Sequence, residues 1–473
     1  MARNVGHSIS RSTNQRDLSR RSFIGLSMAG LAGLGIAPNI EAAALAAGRG
    51  QAKQVLVIFE QGGISHTDTW DPKPTKNSVH RSPFETIQTA APDIRFTELL
   101  SRTAKVADKL SVVRCMRQPK PNVGNSHPLG SQFIFSGTDP TGPITMPDMG
   151  SVVSQLLGTP ARHLPAYVLE GSGEQSKESR LGFLPASHKA FKIHHAKVEG
   201  LKLEGIDAKR FRKRRDLLAN LNIGLLSGDR EEVKAMESFA NQADEMLTNP
   251  ATLAAFDIGN EPDSVKQLYH PLENDRTHRG SMYLMGRKLI ESGVRFVCIN
   301  TQWPSSGKWP GGSNMNWDHH DAIYSNHHTN IRGGGAGAGR FGIGTWPMMP
   351  STDWAFSGLI TDMAQRGLLE ETLVCFVTEF GRTPKINERQ GRDHWVHAFS
   401  MIFAGAGVPG GQVIGQTDVD GAYVTSPMAY TVEDYGATVF AKLGIDTAEP
   451  IHTPADRPIF LAKGGRFIPE LFS

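Results

Sequence analysis

The chain has 473 residues, of which 39% are hydrophobic, 21% are charged and 8% are aromatic. These proportions are ordinary for a globular protein and exclude a disordered, collagen-like or coiled-coil chain. The net charge of +3 arises in residues 1–48, which carry five arginines against two acidic residues, so residues 49–473 sum to zero. Because the body of the chain has no excess positive charge, the sequence predicts no nucleic-acid partner.

Residues 1–47 are typical of an export signal. Arg20 and Arg21 precede a run of small and apolar residues at 23–37, which is too short to span a bilayer comfortably, and alanine-rich cleavage sites follow at 42–46. This pattern predicts a twin-arginine signal peptide over 1–47, recognised by the twin-arginine export machinery, and a periplasmic or secreted mature protein. An uncleaved anchor is the alternative. No later apolar run reaches about 18 residues, so we expect no stable membrane span in the mature protein.

Short apolar runs recur along the rest of the chain. The first, at 54–59, ends in Glu60-Gln-Gly-Gly, and a continuous run of this length is typical of a strand buried on both faces of a parallel sheet. The other runs lie at 110–115, 166–169, 294–299, 373–377 and 399–403. Helical patterns at 281–291 and 357–366 precede two of them, and Gly367 ends the second helix. Helix and strand in alternation predict an α/β fold with crossover connections.

Three further features of the sequence can be interpreted in structural terms. Residues 205–260 are rich in Lys, Arg, Glu, Leu and Ala without a strand pattern, which predicts a helical insertion in an α/β domain spanning 51–470. The glycine-rich stretch at 333–339 follows no strand and lacks Gly-Lys-Ser/Thr, which favours a flexible loop over a phosphate-binding loop. Cys115, Cys298 and Cys375 lie in apolar runs without metal-ligand spacing, which favours buried structural cysteines over reactive thiols.

The chemistry is expected just after the apolar runs, because ligands of open α/β sheets bind beyond the carboxyl ends of the strands. In chain order, the candidates there are Asp68, Ser126, His127, Asp318, His320, Glu379, Asp393 and His394. Carboxylates and imidazoles converging from several strand ends predict a divalent metal ion such as Zn²⁺ or Mn²⁺. Each piece alone has a simpler interpretation: Arg382 could merely pair with Glu379, and Asp68 could merely cap the turn before Pro72.

Five segments together resemble a known bacterial family, domain of unknown function 1501. They are Gly-Gly-Ile-Ser-His-Thr-Asp-Thr-Trp-Asp at 62–71, Trp-Asp-His-His at 317–320, Thr-Glu-Phe-Gly-Arg at 378–382, Gly-Arg-Asp-His-Trp at 391–395 and Gly-Gln-Thr-Asp at 415–418. The resemblance covers roughly 51–470 and implies the alkaline phosphatase and sulfatase superfamily, with a three-layer α/β sandwich, a mostly parallel central sheet and a helical insertion. It also implies a metal site holding Zn, Mn or Ca and hydrolysis of sulfate or phosphate esters.

The resemblance assigns metal ligands position by position. The superfamily places a metal-binding aspartate after the first strand, a register that Glu60 occupies here, while Asp68 lies eight residues further on. The other ligands implied are Asp318 and His320 from a middle loop, Glu379 after the next strand, and His394 as the last metal-binding histidine. Asp68 and Asp393 are expected either as ligands or as carboxylates that orient imidazoles.

The nucleophile departs from the superfamily pattern. Sulfatases carry Cys or Ser ten residues before the glycine of a Leu-Thr-Gly motif, and the similar segment ending at Gly137 places His127 at that position, with Ser126 beside it. A helix that starts near Pro128 would present its N-terminus to an anion. Catalysis could use His127, Ser126 or metal-activated water, and His127 could instead be a further metal ligand.

The sequence therefore predicts an exported, metal-dependent hydrolase-like protein that acts on an anionic small-molecule or glycan ester. The alternative is a non-catalytic member of the fold that serves as an envelope or glycan-binding module. The missing hydroxyl or thiol nucleophile favours the binding module. The joint presence of Asp318, His320, Glu379 and His394 favours the enzyme.

Overall fold

The fold is known from a computed structural model, and the residues that it describes belong to one compact unit. They are 51–73, 80, 82–118, 120, 123, 125–171, 180–198, 201, 203, 205–222, 231–270, 277–301, 317–318, 320, 323–324, 342–344, 346 and 348–472. The predicted signal peptide at 1–47 and the glycine-rich stretch at 333–339 lie outside these residues. Among the described residues, no helix combines the length and the apolar character that a membrane crossing requires.

The strands follow the predicted apolar runs closely. In chain order they are β1 (Gln54–Glu60), β2 (Thr86–Gln88), β3 (Arg95–Thr97), β4 (Ser111–Met116), β5 (Tyr167–Gly171), β6 (Phe191–Ile193), β7 (Phe296–Thr301), β8 (Thr372–Val377), β9 (Gly381–Arg382), β10 (His394–Trp395), β11 (Phe399–Ala404), β12 (Gln412–Ile414), β13 (Ile451–His452) and β14 (Pro458–Ile459). The six predicted strands correspond to β1, β4, β5, β7, β8 and β11. Each is buried along most of its length, as a continuous apolar run indicates.

Nine α-helices lie in the described part of the chain. They are α1 (His127–Ser136), α2 (Met149–Leu157), α3 (Ala208–Asn222), α4 (Glu231–Thr248), α5 (Pro250–Ala255), α6 (Asp263–Tyr269), α7 (Arg279–Glu291), α8 (Met349–Gln365) and α9 (Val432–Lys442). The predicted helices at 281–291 and 357–366 fall within α7 and α8, and Gly367 ends α8 with a positive φ of 72°. The described residues of the predicted insertion at 205–260 form α3, α4 and α5 and no strand.

Eight strands form the central sheet, in the order β12-β4-β11-β8-β1-β7-β5-β6. The pairs β12/β4, β8/β1, β1/β7, β7/β5 and β5/β6 are parallel, whereas β11 is antiparallel to both of its neighbours, β4 and β8. The sheet is therefore mostly parallel, as predicted. The carboxyl ends of β1, β4, β7 and β8 share one edge.

Helices cover both faces of the sheet. Gly286 of α7 lies against Ile299 of β7, where a Cβ atom would be 2.4 Å from the isoleucine Cδ1. Gly150 of α2 lies against the ring of Tyr167, whose register partner is Phe296. Because Phe296 and Ile299 are three residues apart on one strand, their side chains point to opposite faces. The predicted three-layer α/β architecture is confirmed.

The three cysteines lie inside this architecture and are buried. Burial raises the pKa of the Cys115 thiol to about 11 and also raises the pKa values of the Cys298 and Cys375 thiols. A thiol with a raised pKa carries little thiolate near neutral pH and is a poor nucleophile. The prediction of buried structural cysteines is confirmed.

Candidate metal centre

One edge of the sheet collects most of the candidate residues. Glu379 follows β8 by two residues, and His394 begins β10, which pairs with β9 through His394 and Arg382. His127 is the first residue of α1, and Asp318 belongs to the segment after β7. His127, Asp318 and the segment with Glu379 and His394 are far apart in the sequence, so the order of the strands brings them together.

The helix that carries His127 is fixed by local sequence. Ser126 is the N-cap of α1, and its Oγ accepts a hydrogen bond from the Leu129 amide at 3.5 Å. Pro128 suits the first turn, where an amide hydrogen is not needed. One turn further on, a Cβ at Gly130 would lie only 3.0 Å from Glu379 Cβ, so glycine lets α1 lie directly against this residue.

The centre of the cluster is one carboxylate oxygen, Asp318 Oδ1. His127 Nε2 lies 3.2 Å from it, His320 Nε2 3.0 Å and His394 Nε2 3.1 Å. The Nε2 atoms of His320 and His394 are themselves 3.1 Å apart. Three imidazoles from separate parts of the chain therefore direct the same ring atom at the same place.

The other ring nitrogen of each histidine faces a hydrogen-bond acceptor. His127 Nδ1 lies 2.6 Å from Glu379 Oε1, and His320 Nδ1 lies 2.9 Å from Asp393 Oδ1. His394 Nδ1 lies 3.2 Å from the backbone carbonyl oxygen of Asn125. An acceptor at Nδ1 orients the ring and, in the neutral form, leaves the lone pair on Nε2, and metal-binding histidines are commonly oriented in this way.

This geometry fits a metal ion. His127 Nε2 is buried and faces Asp318 Oδ1 at 3.2 Å, which places a nitrogen donor beside a carboxylate oxygen. Donor atoms about 2.0–2.1 Å from a tetrahedral zinc ion lie roughly 3.3 Å from each other, close to the separations observed here. His127, Asp318 and His394 also place their donor atoms within 4.8 Å of one another. These three residues, with His320 beside them, are the candidate ligands.

The electrostatics of the cluster favour a cation. Burial lowers the pKa of His127, but the carboxylates of Asp318 and Glu379 outweigh this effect and raise it to about 9. Burial would raise the pKa of Asp318, yet the three imidazoles and the Arg382 guanidinium hold it well below its usual range. Burial lowers the pKa of His394, in spite of the nearby Asp318. The carboxylates therefore stabilise positive charge here, carried either by a proton or by a metal ion.

Glu379 is held rigidly between the helix and the first strand. Its Oε1 and Oε2 atoms accept from the Gly62 amide at 2.8 and 3.1 Å, and Thr378 Oγ1 lies 3.2 Å from Oε2. The residue is fully buried. Both carboxylate oxygens are therefore engaged, and Oε1 faces the His127 ring.

Arg382 differs from its simplest expected role. The sequence left open a pairing with Glu379, whereas Arg382 Nη2 lies 2.9 Å from Asp318 Oδ1. Its guanidinium also donates to the carbonyl oxygens of Gly62, Gly63 and Arg392. Arg382 therefore ties Asp318 to the segment after β1, and Glu379 pairs with His127 instead.

Two acidic candidates have distinct positions. Asp393 accepts from His320 and from Asn387 Nδ2, 3.4 Å away, so it orients an imidazole. Asp68 is fully buried and forms an ion pair with Arg392, whose Nε and Nη2 atoms lie 2.8 and 3.0 Å from its oxygens. Burial opposes ionisation of Asp68, but the Arg392 guanidinium lowers the pKa of its carboxyl group. Asp68 is thus engaged in structural contacts.

Glu60, in the register where the resemblance implies a metal-binding aspartate, contacts the opposite layer. Its oxygens accept from Arg279 Nε at 2.9 Å and from Tyr283 Oη at 2.6 Å, both on α7. The sequence offered no signal for this pairing, because an arginine about 220 residues away in the chain can be matched to Glu60 only after the fold is known.

Residues 52–472 match a family described as protein of unknown function, DUF1501. The chain belongs to the DUF1501 family. The family membership that the motifs indicated is therefore confirmed. No curated protein matches the chain.

Solved structures with remote similarity to this DUF1501 protein include hydrolases. PsFucS1 sulfatase from Pseudoalteromonas sp. has 12% identity over 88% of this chain and 73% of its own, with a TM-score of 0.35. The phosphonate monoester hydrolase of Agrobacterium radiobacter has 9% identity over 89% and 77%, with a TM-score of 0.33. An alkaline phosphatase superfamily protein from Vibrio parahaemolyticus has 9% identity over 92% and 77%, with a TM-score of 0.33.

Some motif residues of this DUF1501 protein hold the fold together. Thr417 Oγ1 donates to Asp71, which also forms an ion pair with Lys73 at 2.9 Å. His66 Nε2 lies 2.6 Å from the Gly421 carbonyl oxygen. The segment after β1 is thereby fixed to the turn after β12. Residues of the motifs at 62–71 and 415–418 thus form contacts that stabilise the fold.

Proposed function

We propose that this DUF1501 protein is an exported, metal-dependent hydrolase of phosphate or sulfate esters. The observation that carries the proposal is the convergence of three imidazole Nε2 atoms on Asp318 Oδ1, each ring oriented by an acceptor at Nδ1. Such a set of oriented nitrogen donors is typical of a metal centre and unusual for a purely structural cluster.

The donor set favours particular ions. Imidazole nitrogens and one carboxylate suit Zn²⁺, and also Mn²⁺, whereas Ca²⁺ takes six to eight oxygen ligands. We therefore propose Zn²⁺ or Mn²⁺ over Ca²⁺, which narrows the expectation drawn from the sequence. A bound divalent ion would supply a Lewis acid for the ester oxygen and would activate water.

An anionic substrate requires compensation of the negative charge at this edge. Each of the three imidazoles lies within hydrogen-bond distance of at least one of the carboxylates Asp318, Glu379 and Asp393. Without a cation, these carboxylates would repel a phosphate or sulfate group. The residues of the chain would thus bind the ion and orient its ligands, and the ion would make the site suitable for an anion.

The proposed roles of Ser126 and His127 differ from those in a sulfatase. His127 faces the cluster as a ligand, and the Ser126 hydroxyl caps α1. We therefore propose water as the nucleophile, with His127 retained for the metal. In an active preparation, His127→Ala should lose at least 100-fold in kcat/KM together with bound metal, and Ser126→Ala should lose less than about tenfold. The reverse order would assign the nucleophile to Ser126.

The deciding experiment combines metal analysis with an ester screen. Purified protein is loaded with Zn²⁺ or Mn²⁺, its metal content is measured, and hydrolysis of aryl phosphates and aryl sulfates is followed. We expect about one ion per chain and turnover that a chelator abolishes. Absence of bound metal at millimolar supply would refute the proposal. An Asp318→Ala variant, folded but without metal, is the matched control for contaminating hydrolases.

Export is tested separately. The twin arginines Arg20 and Arg21 motivate the proposal. Replacing both by lysine should leave the precursor in the cytoplasm, as followed by immunoblots of cell fractions. Unimpaired processing of the double variant would refute the twin-arginine route, without bearing on the metal centre.

The alternative function is a binding module, and one observation favours it. The hydroxyl beside His127 is used as a helix cap, so the nearest serine is not presented to the cluster as a nucleophile. A metal-loaded protein that binds sulfated or phosphorylated glycans without hydrolysing them would favour this alternative. Equilibrium binding measured alongside turnover separates the two.

A further inference from the structure

The segment that carries Asp318 is anchored by its neighbour, Trp317. The Trp317 side chain is 2% exposed, and its indole Nε1 donates to Glu60 Oε2 at 2.9 Å. The indole therefore extends from the segment into the layer between β1 and α7. This contact fixes the residue directly preceding the carboxylate on which the three imidazoles converge.

Glu60 is a rigid acceptor for that indole. Arg279 approaches its two oxygens with Nε at 2.9 Å and Nη2 at 3.1 Å, and the Tyr283 hydroxyl donates at 2.6 Å. All three side chains are almost completely buried. A buried carboxylate with a bidentate arginine and a tyrosine has little freedom to move, so the position of the Trp317 indole is set by α7.

The backbone after β1 holds the same segment from the other side. The Trp317 amide donates to the Gln61 carbonyl oxygen at 3.2 Å. A Cβ at Gly62 would lie 2.4 Å from the Trp317 nitrogen and 2.7 Å from the Asp318 nitrogen. Because such contacts are not possible for a side-chain carbon, the two backbones approach as closely as glycine allows. The end of β1 thus contacts residues 317 and 318 through side chain and main chain.

We infer that Glu60 is a positioning residue, which acts through Trp317 to hold Asp318 at the point where the imidazoles meet. The inference rests on the proposed function, since it concerns the affinity of the proposed metal centre. The end of the first strand then serves the metal centre through the indole of Trp317, and not by ligation.

The test compares two conservative variants that each remove one buried hydrogen bond to a carboxylate. Trp317→Phe removes the indole donor to Glu60. Tyr269→Phe removes the hydroxyl donor to Asp362, a 2.8 Å bond between α6 and α8 on an equally buried tyrosine. Zinc affinity is measured by competition with a chromophoric chelator, and stability by the urea midpoint. Glu60→Gln, which keeps the size of the side chain, provides a second variant at the same contact.

We expect Trp317→Phe and Glu60→Gln to weaken zinc binding by about tenfold or more, by analogy with residues that orient metal ligands. Tyr269→Phe should lower the urea midpoint but leave the zinc affinity within about twofold. Unchanged zinc affinity in folded Trp317→Phe or Glu60→Gln would overturn the inference, as would an equal loss in Tyr269→Phe. If the unaltered protein binds no zinc, the proposed function fails as well, and that result is distinct because it is seen before any substitution.

Discussion

The described part of the chain contains two clusters of three histidines, and the two differ in what lies beside the rings. In the candidate metal centre, His127, His320 and His394 direct Nε2 at one carboxylate oxygen. In the second cluster, His195 stacks on His278 with ring centroids 4.1 Å apart and planes 19° apart, and His194 lies against His195 at 5.6 Å. Among the described residues, the donor geometry of a metal site is found at the first cluster.

Carboxylates explain the difference. Glu379 accepts from the His127 ring, whereas Glu170, beside the second cluster, accepts from the Ala196 backbone amide at 3.1 Å. The pKa of His127 is raised to about 9 by its carboxylate neighbours in spite of burial. Burial, together with the positive charge of nearby groups, lowers the pKa of His195 to about 4. Carboxylates at the His127 and His320 rings therefore favour a cation at the first cluster, which proximity of histidines alone does not do.

The largest effect is expected from the shared carboxylate. Asp318→Asn removes the charge on which three imidazoles and Arg382 converge, and should weaken zinc binding by more than about 100-fold, beyond the loss typical of residues outside the ligand set. Chelator competition measures the affinity. Retention of wild-type affinity would show that the first cluster is no more a metal site than the second.

A smaller loss of zinc affinity is expected from a change at Glu379, which contacts the His127 ring. Glu379→Gln keeps the size of the side chain, but its amide can turn either the oxygen or the NH2 group toward His127 Nδ1. The ring is then oriented less firmly, so zinc affinity should fall by about 10- to 100-fold. The same competition assay applies, with the urea midpoint to separate local from global effects. A loss of stability with full zinc affinity would contradict the role assigned to Glu379.

The second cluster should respond to pH through Glu170. Burial raises the pKa of this carboxyl group from 4.5 to about 7, although backbone amides partly offset the effect. Because the folded-state pKa is above the unfolded value, the stabilising contribution is complete below pH 4.5 and is lost as the pH rises from 4.5 to 7. The loss is about 3 kcal/mol in the free energy of unfolding. Urea titrations at pH 5 and pH 8 should show this dependence in the wild-type protein and a weaker one in Glu170→Gln.

The smallest effect on zinc affinity and stability is expected at His195, in the second cluster. His195 has a φ of 52°, a left-handed conformation that asparagine tolerates. His195→Asn should therefore keep the turn while removing the stacked ring, with stability changed by about 1 kcal/mol at most and zinc affinity within about twofold. A clear loss of zinc affinity would show that the second cluster takes part in metal binding.

Much of the sheet could be predicted because its central strands are buried on both faces and therefore read as continuous apolar runs. β6 and β12 escaped prediction, since each has only three residues, partly exposed, at an edge of the sheet. The helices α7 and α8 could also be predicted from local patterns, and the end of α8 is marked by Gly367, a glycine with positive φ. Local patterns thus locate elements wherever burial or backbone conformation imposes a residue type.

The contacts of the site were harder to predict from the sequence because they join distant parts of the chain. The sequence grouped Asp318, His320, Glu379 and His394, yet it could not distinguish a Glu379 contact to His127 from a pairing with Arg382. Nothing local in the sequence indicates that Trp317 reaches Glu60 or that the Asn125 carbonyl faces His394. Such pairings depend on strand order and on side-chain direction, which periodicity does not specify.

The reversed direction of β11 has a consequence for how the site is assembled. Parallel neighbours require the chain to cross back over the sheet, but β8 and the antiparallel β11 are joined at a single edge. The connection at 378–398 therefore stays on that edge and carries four side chains of the cluster: Glu379, Arg382, Asp393 and His394. A change in the length or sequence of this one connection would alter those four together and leave the order of the strands intact. This one connection thus supplies the candidate ligand His394 and three side chains that contact His127, Asp318 and His320.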